Sequence, residues 1–299
     1  MSKLVPRIKF NANTPCIEHV VNNDDQCGVI YGCQLLSQPN SLPPNLKTIL
    51  YVHSIAIIPG VLPPTITRLW FGRLYNIPLP PNVLPSSLTE LKMSVNWDQP
   101  LEQGTLPQSI TLLEFGQNFD QVLLPGVLPE SLLSLTFGSF FQQMLAPRVL
   151  PSSLTYLEFD QSELPTSISP PDEMFIVAGS LPQSLQTLIL PGWFQCLTKD
   201  MAPSSLKRLQ YGFCTGVPAQ GELPSNLEYI SFKGLGGPLM SGTWPSSILK
   251  LKLPLDYSLN IVPGQLPPSL TKLTLRRIRK PSVSGAFPAT CIRINNVEL

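Results

Sequence analysis

The chain has 299 residues, 43% of them hydrophobic and 13% charged, with a formal net charge of +1. That is enough apolar material for a substantial core, without the strong overall basicity of a dedicated nucleic-acid binder. Its 34 prolines exclude long helices, because each interior proline removes a hydrogen bond and clashes with the preceding turn. The prolines recur at a fixed period among abundant Leu, Ile, Val and Phe, which excludes a disordered low-complexity chain.

In chain order, residues 1–41 are expected to form an N-terminal cap over the open edge of a repeat array. The opening "MSKLVPRIKF" carries Lys3, Arg7 and Lys9 with no apolar run behind them, so a secretion signal is not expected. No stretch is long and apolar enough to read as a spanning helix, and no membrane partner is expected. Cys16, His19, Cys27 and Cys33 place four potential zinc ligands within eighteen residues. Their spacing matches no common zinc module, and "QCGVIYGCQLL" reads equally well as buried strand. No metal and no cofactor is therefore assigned.

From residue 42 the motif Leu-Pro-x-Ser-Leu-x-x-Leu-x-Phe recurs, with starts at Leu42, Leu62, Leu84, Leu106, Leu128, Leu150, Leu181, Ala202, Leu223, Trp244, Leu266 and Phe287. Ten of the eleven intervals are 20 to 22 residues and one is 31, so residues 42–299 read as a solenoid of twelve short coils. In "LPSSLTYLEF", Leu154, Leu157 and Phe159 alternate with Tyr156 and Glu158, the period-two pattern of a short strand with one buried face. One strand per coil makes a parallel sheet.

Two residues before each start stands Asn40, Gly60, Asn82, Gly104, Gly126, Arg148, Gly179, Asp200, Gly221, Gly242, Gly264 or Gly285. That column of Gly, Asn and Asp marks backbone at positive φ; Arg148 breaks it, predicting local strain or a changed turn there. The recurrent Ser87, Ser109, Ser131, Ser153, Ser184 and Ser205 are expected to bond neighbouring backbone at the turn and, being repeated, to serve the coil and no active site. Thirteen residues after many starts comes an aromatic: Tyr75, Trp97, Phe119, Phe141, Phe194 and Tyr257. Coils stacked about 4.8 Å apart would turn these into a ladder inside the solenoid. The convex return, rich in Pro and Gly, is expected to be extended or irregular.

The long interval contains "SELPTSISPPDEMFIVAGS", residues 162–180, read as an insertion projecting from the convex side or an edge.

The segments "YNIPL", "WDQPL", "FDQVL" and "FQQML" (75–79, 97–101, 119–123 and 141–145) resemble the FNIP repeat, a 22-residue class similar to leucine-rich repeats and found in social amoebae and large DNA viruses of protists. The resemblance implies a leucine-rich-repeat-like right-handed coil, mainly β, with a parallel sheet of about twelve short strands and few or no helices. The name-giving Phe-Asn-Ile-Pro drifts most clearly after Leu150 and after Leu223. Residues 1–41 do not look like the F-box that often precedes these repeats, so a ubiquitin-ligase adaptor role is not implied.

The chain is poor in enzyme chemistry. It has two histidines, His19 and His53, no phosphate-binding glycine loop and no His-x-x-x-His. Asp24-Asp25 and Asp172-Glu173 read as solvated loop charge. No enzyme activity is expected. The cysteines are scattered and no Asn-x-Ser/Thr acceptor occurs, which favours a reducing, cytoplasmic setting, the host cytoplasm if the source is viral.

Function then falls to the exposed sheet face, where alternate residues of each strand form two columns. One runs Thr48, Arg68, Glu90, Leu112, Ser134, Tyr156, Thr187, Arg208, Tyr229, Lys250, Lys272, Arg293; the other runs Leu50, Trp70, Lys92, Glu114, Thr136, Glu158, Ile189, Gln210, Ser231, Lys252, Thr274, Asn295. The candidate protein-binding residues on them are Arg68, Trp70, Glu90, Glu114, Tyr156, Glu158, Arg208, Tyr229, Lys250, Lys252, Lys272 and Arg293, with Trp70, Tyr156 and Tyr229 as anchors. Residues 1–198 hold 8 Lys+Arg against 14 Asp+Glu, a balance of −6, and 199–299 hold 12 against 5, a balance of +7. The molecule is electrically dipolar. The first reading is a protein-interaction scaffold whose partner is unidentified. The alternatives are nucleic-acid binding through the basic end, including "LRRIRKP" (275–281), and a purely structural, self-assembling protein.

Overall fold

A computed structural model describes residues 17–22, 25–30, 39–40, 42, 44–52, 54–160, 176–190, 197–214, 218–255, 257, 261–275, 288–291 and 293–296, with backbone alone for 17–30 and 293–296. Fourteen strands lie side by side in one sheet in sequence order. The first two, β1 (Ile17–Asn22) and β2 (Asp25–Ile30), form an antiparallel hairpin. Every later neighbour is parallel, beginning with β2 against β3. The twelve remaining strands are β3 (Thr48–Tyr51), β4 (Arg68–Phe71), β5 (Glu90–Lys92), β6 (Leu112–Glu114), β7 (Ser134–Phe137), β8 (Tyr156–Phe159), β9 (Thr187–Ile189), β10 (Arg208–Cys214), β11 (Tyr229–Leu235), β12 (Lys250–Lys252), β13 (Lys272–Leu275) and β14 (Arg293–Asn296). Each belongs to one of the twelve repeat units read from the sequence. No helix occurs among the described residues.

Each strand is short because the coil must turn, and β4 to β9, β12 and β13 bury alternate side chains. The pattern in β7 and β8 is half-buried, buried, half-buried, buried. Leu113, Leu135, Leu157 and Leu188 stack through successive coils at 0–1% exposure, and one continuous apolar cluster runs from Leu42 to Leu275. Burying a Leu in this way contributes about 1.5–3 kcal/mol relative to leaving it in water.

The return aromatics form the expected ladder: Trp97 stacks on Phe119 at 5.4 Å and Phe119 on Phe141 at 6.0 Å. A second ladder climbs the strand ends, Phe115 to Phe137 at 5.4 Å and Phe137 to Phe159 at 5.3 Å. The two ladders lock together within a coil, with Phe115 on Phe119 at 3.9 Å and Phe137 on Phe141 at 4.0 Å. Tyr257 is buried as expected, its hydroxyl accepting the Leu239 N–H. Phe194 lies outside the described residues.

In two units that lack the return aromatic, the strand is longer. The units starting at Ala202 and Leu223 carry Thr215 and Gly236 in that column, and their strands β10 and β11 run to seven residues. Tyr211 stacks on Phe232 there at 5.4 Å.

The recurrent serine reaches farther than its own turn. Ser87, Ser109, Ser131 and Ser153 donate to the carbonyls of Ile66, Leu88, Ile110 and Leu132, each in the preceding coil, at 2.6–2.7 Å. The turn itself closes through backbone, as in Ile110 N–H to Pro107 C=O. A second inter-coil ladder uses the Asn of the FNIP segment and its counterparts. Asn76 Oδ1 accepts the Asp98 N–H, Asp98 Oδ1 the Asp120 N–H and Asp120 Oδ1 the Gln142 N–H, at 2.8–3.0 Å.

Positive φ occurs at every described member of the Gly/Asn column but one. Arg148 keeps the turn, at φ 70°, so the sequence reading of a changed turn there is corrected and only the strain stands, about 1–2 kcal/mol for a non-glycine in that region. The changed turn belongs to Asp200, where the Met201 and Ala202 N–H groups both bond Thr198 C=O and the backbone is not left-handed. Gly285 lies outside the described residues.

The long unit regains register at Ile176, which is fully buried and bridges Leu145 of the preceding coil. Gly179 resumes the positive-φ turn and Ser180 bonds Leu145 C=O. The preceding residues, 161–175, lie outside the described ones.

Candidate functional site: the exposed sheet face

Parallel register sets the site. Thr48, Arg68, Glu90, Leu112, Ser134 and Tyr156 are paired rung to rung, and Thr187, Arg208, Tyr229, Lys250, Lys272 and Arg293 continue the same line. The second column aligns equally, with Trp70 beside Lys92, Lys92 beside Glu114, and Ser231 beside Lys252. All twelve candidate residues therefore occupy one face at rungs about 4.8 Å apart. Within the two columns Thr48 and Ser231 are buried. The side chain of Arg293 lies outside the described residues.

The face divides into three sectors. In the first, Trp70 donates its indole N–H to Glu90 at 2.9 Å, Lys92 sits 5.9 Å from the Trp70 ring centroid, and the same ammonium pairs with Glu114 at 2.9 Å. Arg68 Nε donates to Thr48 Oγ1 at 2.8 Å. This network of indole, cation and two carboxylates holds Trp70 in one orientation; the half-exposed ion pair itself contributes about 0.2–1 kcal/mol.

The middle sector is nearly uncharged: Leu112, Ser134, Thr136, Thr187 and Ile189 surround Tyr156, whose hydroxyl donates to Glu158. Burial first, then that hydrogen bond and the Glu158 charge, raise the Tyr156 phenol above its ordinary range, while Arg208 opposes the shift. The phenol stays protonated and keeps donating throughout the neutral range.

In the third sector the Arg208 guanidinium lies 4.5 Å from the Tyr229 ring centroid, and Lys207 pairs with Glu228 at 3.5 Å. Around them lies a groove of about 150 Å³ lined by Thr187, Lys207, Arg208, Glu228, Tyr229 and Lys250. Lys250 and Lys252 are exposed and Lys272 half-buried; none has an ion-pair partner among the described residues.

The three acids the sequence places mid-face, Glu90, Glu114 and Glu158, are thus each bonded within the face, Glu114 to a cation and the other two to neutral donors. Sequence reasoning missed Lys207, Glu228 and exposed Leu249, which stand one position before the strands. Their column was legible in the repeat as Thr67, Thr89, Thr111, Thr155 and Thr271, whose hydroxyls bond carbonyls of the preceding coil.

Of the four potential zinc ligands, Cys16 and Cys33 lie outside the described residues, as do the side chains of His19 and Cys27; the same holds for the basic segment after Leu275. Among the described residues no group of three or more His, Cys, Asp or Glu is placed to hold a metal, and no helix is long and apolar enough to cross a membrane.

No curated protein matches the chain. Among solved structures it is similar to CroV588, a circular leucine-rich-repeat protein from a giant virus, with a TM-score of 0.68 and 30% identity over 87% of this chain and 41% of that one. This chain therefore spans less than half of CroV588's length. It also matches YopM from Yersinia enterocolitica at 19% identity, covering 86% of this chain and 68% of that one, with a TM-score of 0.32. The family model of the FNIP Repeat matches residues 54–95, 97–140 and 121–162. With that match across the stacked coils of β4 to β8, the chain carries FNIP repeats there on a leucine-rich-repeat-like fold.

Proposed function

We propose that this chain is a non-enzymatic protein-interaction scaffold that engages its partner through the exposed sheet face. The observation that carries the reading is the unbroken register. It gathers Trp70, Tyr156, Arg208 and Tyr229, residue types that dominate binding energy, onto one surface from coils far apart in sequence. The partner's contacts would centre on the aromatic anchors, with the lysines steering its approach. Residues 1–41 serve as the cap, consistent with a hairpin that continues the sheet beyond β3, and the setting is cytoplasmic.

The test is a pull-down with mass spectrometry from lysate of the source cell or its host. Wild type is compared with Trp70→Ala/Tyr156→Ala/Tyr229→Ala and with the return-side variant Val122→Gln/Leu124→Gln/Met144→Gln, three exposed apolar residues. Partners lost only with the first variant support the scaffold. Recoveries unchanged by the first, or lost only with the second, refute it.

A further inference from the structure

We infer that the third sector of the sheet face is a docking groove for an acidic protein segment, bound with its carboxylates over Lys250, Lys252 and Lys272. The inference rests on the scaffold reading and names the chemistry of the partner.

The argument begins with unbalanced charge. Lys250 and Lys272 are direct register partners on adjacent strands, and Lys252 follows on the same strand face. Like charges facing one another across a sheet destabilise it. Elsewhere on this face the structure resolves such charge locally: Lys92 with Glu114 and Lys207 with Glu228. The three lysines have no such resolution among the described residues, and their other register partners are Tyr229, Ser231, Thr274 and Arg293, none of them acidic. An anionic ligand would complete them.

Three features favour a protein segment over a nucleic acid. The Tyr229 ring is covered by Arg208 at 4.5 Å, so that face is already occupied and does not offer the open aromatic platform on which bases stack. Glu228 stands on the groove rim and interrupts the run of cations that a phosphate at every nucleotide requires, whereas a peptide can place an uncharged residue opposite it. Leu249 is 39% exposed beside Lys250, next to the groove that Thr187 and Tyr229 line, giving apolar contact to side chains interspersed among the acids. The third sector is thus basic with an apolar ledge, and the first is neutralised internally. A ligand reads the two ends differently and binds in one direction.

The probe is a fluorescein-labelled glutamate decamer titrated against the full chain by anisotropy, with a ten-nucleotide oligothymidylate in parallel. Binding of the decamer is expected, weakening with added salt, and weakening by about tenfold or more in Lys250→Gln/Lys252→Gln/Lys272→Gln. The charge-matched control Arg73→Gln/Arg148→Gln/Lys199→Gln, exposed and outside the site, is expected to bind as wild type does. No binding of the decamer, or equal binding by the lysine variant, overturns the inference, as does tighter lysine-dependent binding of the oligothymidylate. If the decamer fails to bind while the Trp70/Tyr156/Tyr229 variant still loses its partner in the pull-down, the groove assignment falls and the scaffold stands. If that variant also recovers every partner, both fall.

Discussion

At the scale of single residues, the coil depends on a few side chains that reach the coil below. Ser131 Oγ donates to Ile110 C=O at 2.7 Å; Ser131→Ala would leave that carbonyl short of a partner and is expected to cost about 0.5–1.5 kcal/mol, measured by urea unfolding. Gly116 is tighter still. A Cβ built there would lie 1.7 Å from Ser94 O, so the coils must separate, and Gly116→Ala is expected to destabilise by about 1–3 kcal/mol, the range of overpacked sites. Arg148 offers the opposite sign: at φ 70° it is held where glycine is free, and Arg148→Gly is expected to gain up to about 1 kcal/mol. The positive-φ column was legible in the sequence because backbone conformation constrains residue type position by position. The reach of Ser131 was not, because a serine near a turn has acceptors both in its own turn and in the next coil, and only stacking selects between them.

At the scale of the strand and its coil, the repeat carries two interlocked aromatic ladders. The return ladder was legible as a column thirteen residues after each start, and the strand-end ladder as the last apolar residue of Leu-x-Phe. Their locking, with Phe137 on Phe141 at 4.0 Å, is a property of the closed coil and has no trace in spacing. Phe137 touches Phe115, Phe141 and Phe159, and Phe137→Ala is expected to cost about 3–5 kcal/mol, read as a lowered thermal midpoint. Repeat arrays couple chiefly to nearest neighbours, so hydrogen exchange should show the added opening concentrated in the coils of β6 to β8. The longer β10 and β11 show the other solution: where Thr215 and Gly236 replace the ring, the sheet extends. Asp98 and Asp120, which stand where the repeat's Phe-Asn-Ile-Pro has Asn, accept the next coil's N–H, a role that any short side chain with a carbonyl oxygen can fill.

At the scale of the whole molecule, register turns a one-dimensional alternation into a surface. Every member of the two columns could be named from the sequence, because a period of two and a repeat of known length fix both face and neighbour. The state of the charges could not. The sequence shows an acidic first part and a basic remainder; the structure shows Glu90, Glu114 and Glu158 each engaged within the face, while Lys250, Lys252 and Lys272 stand without ion-pair partners among the described residues. Those lysines gather in the third sector, which sets how a partner approaches and from which end.

On the proposed reading this face, and not the return side, carries the interaction. Hydroxyl-radical footprinting of the full chain, with and without the partner recovered by pull-down, tests it most directly. Oxidation of Trp70, Tyr156 and Tyr229 is expected to fall in the complex while that of Leu74, Leu124 and Met144 is unchanged; protection confined to the latter three would overturn the assignment of the sheet face.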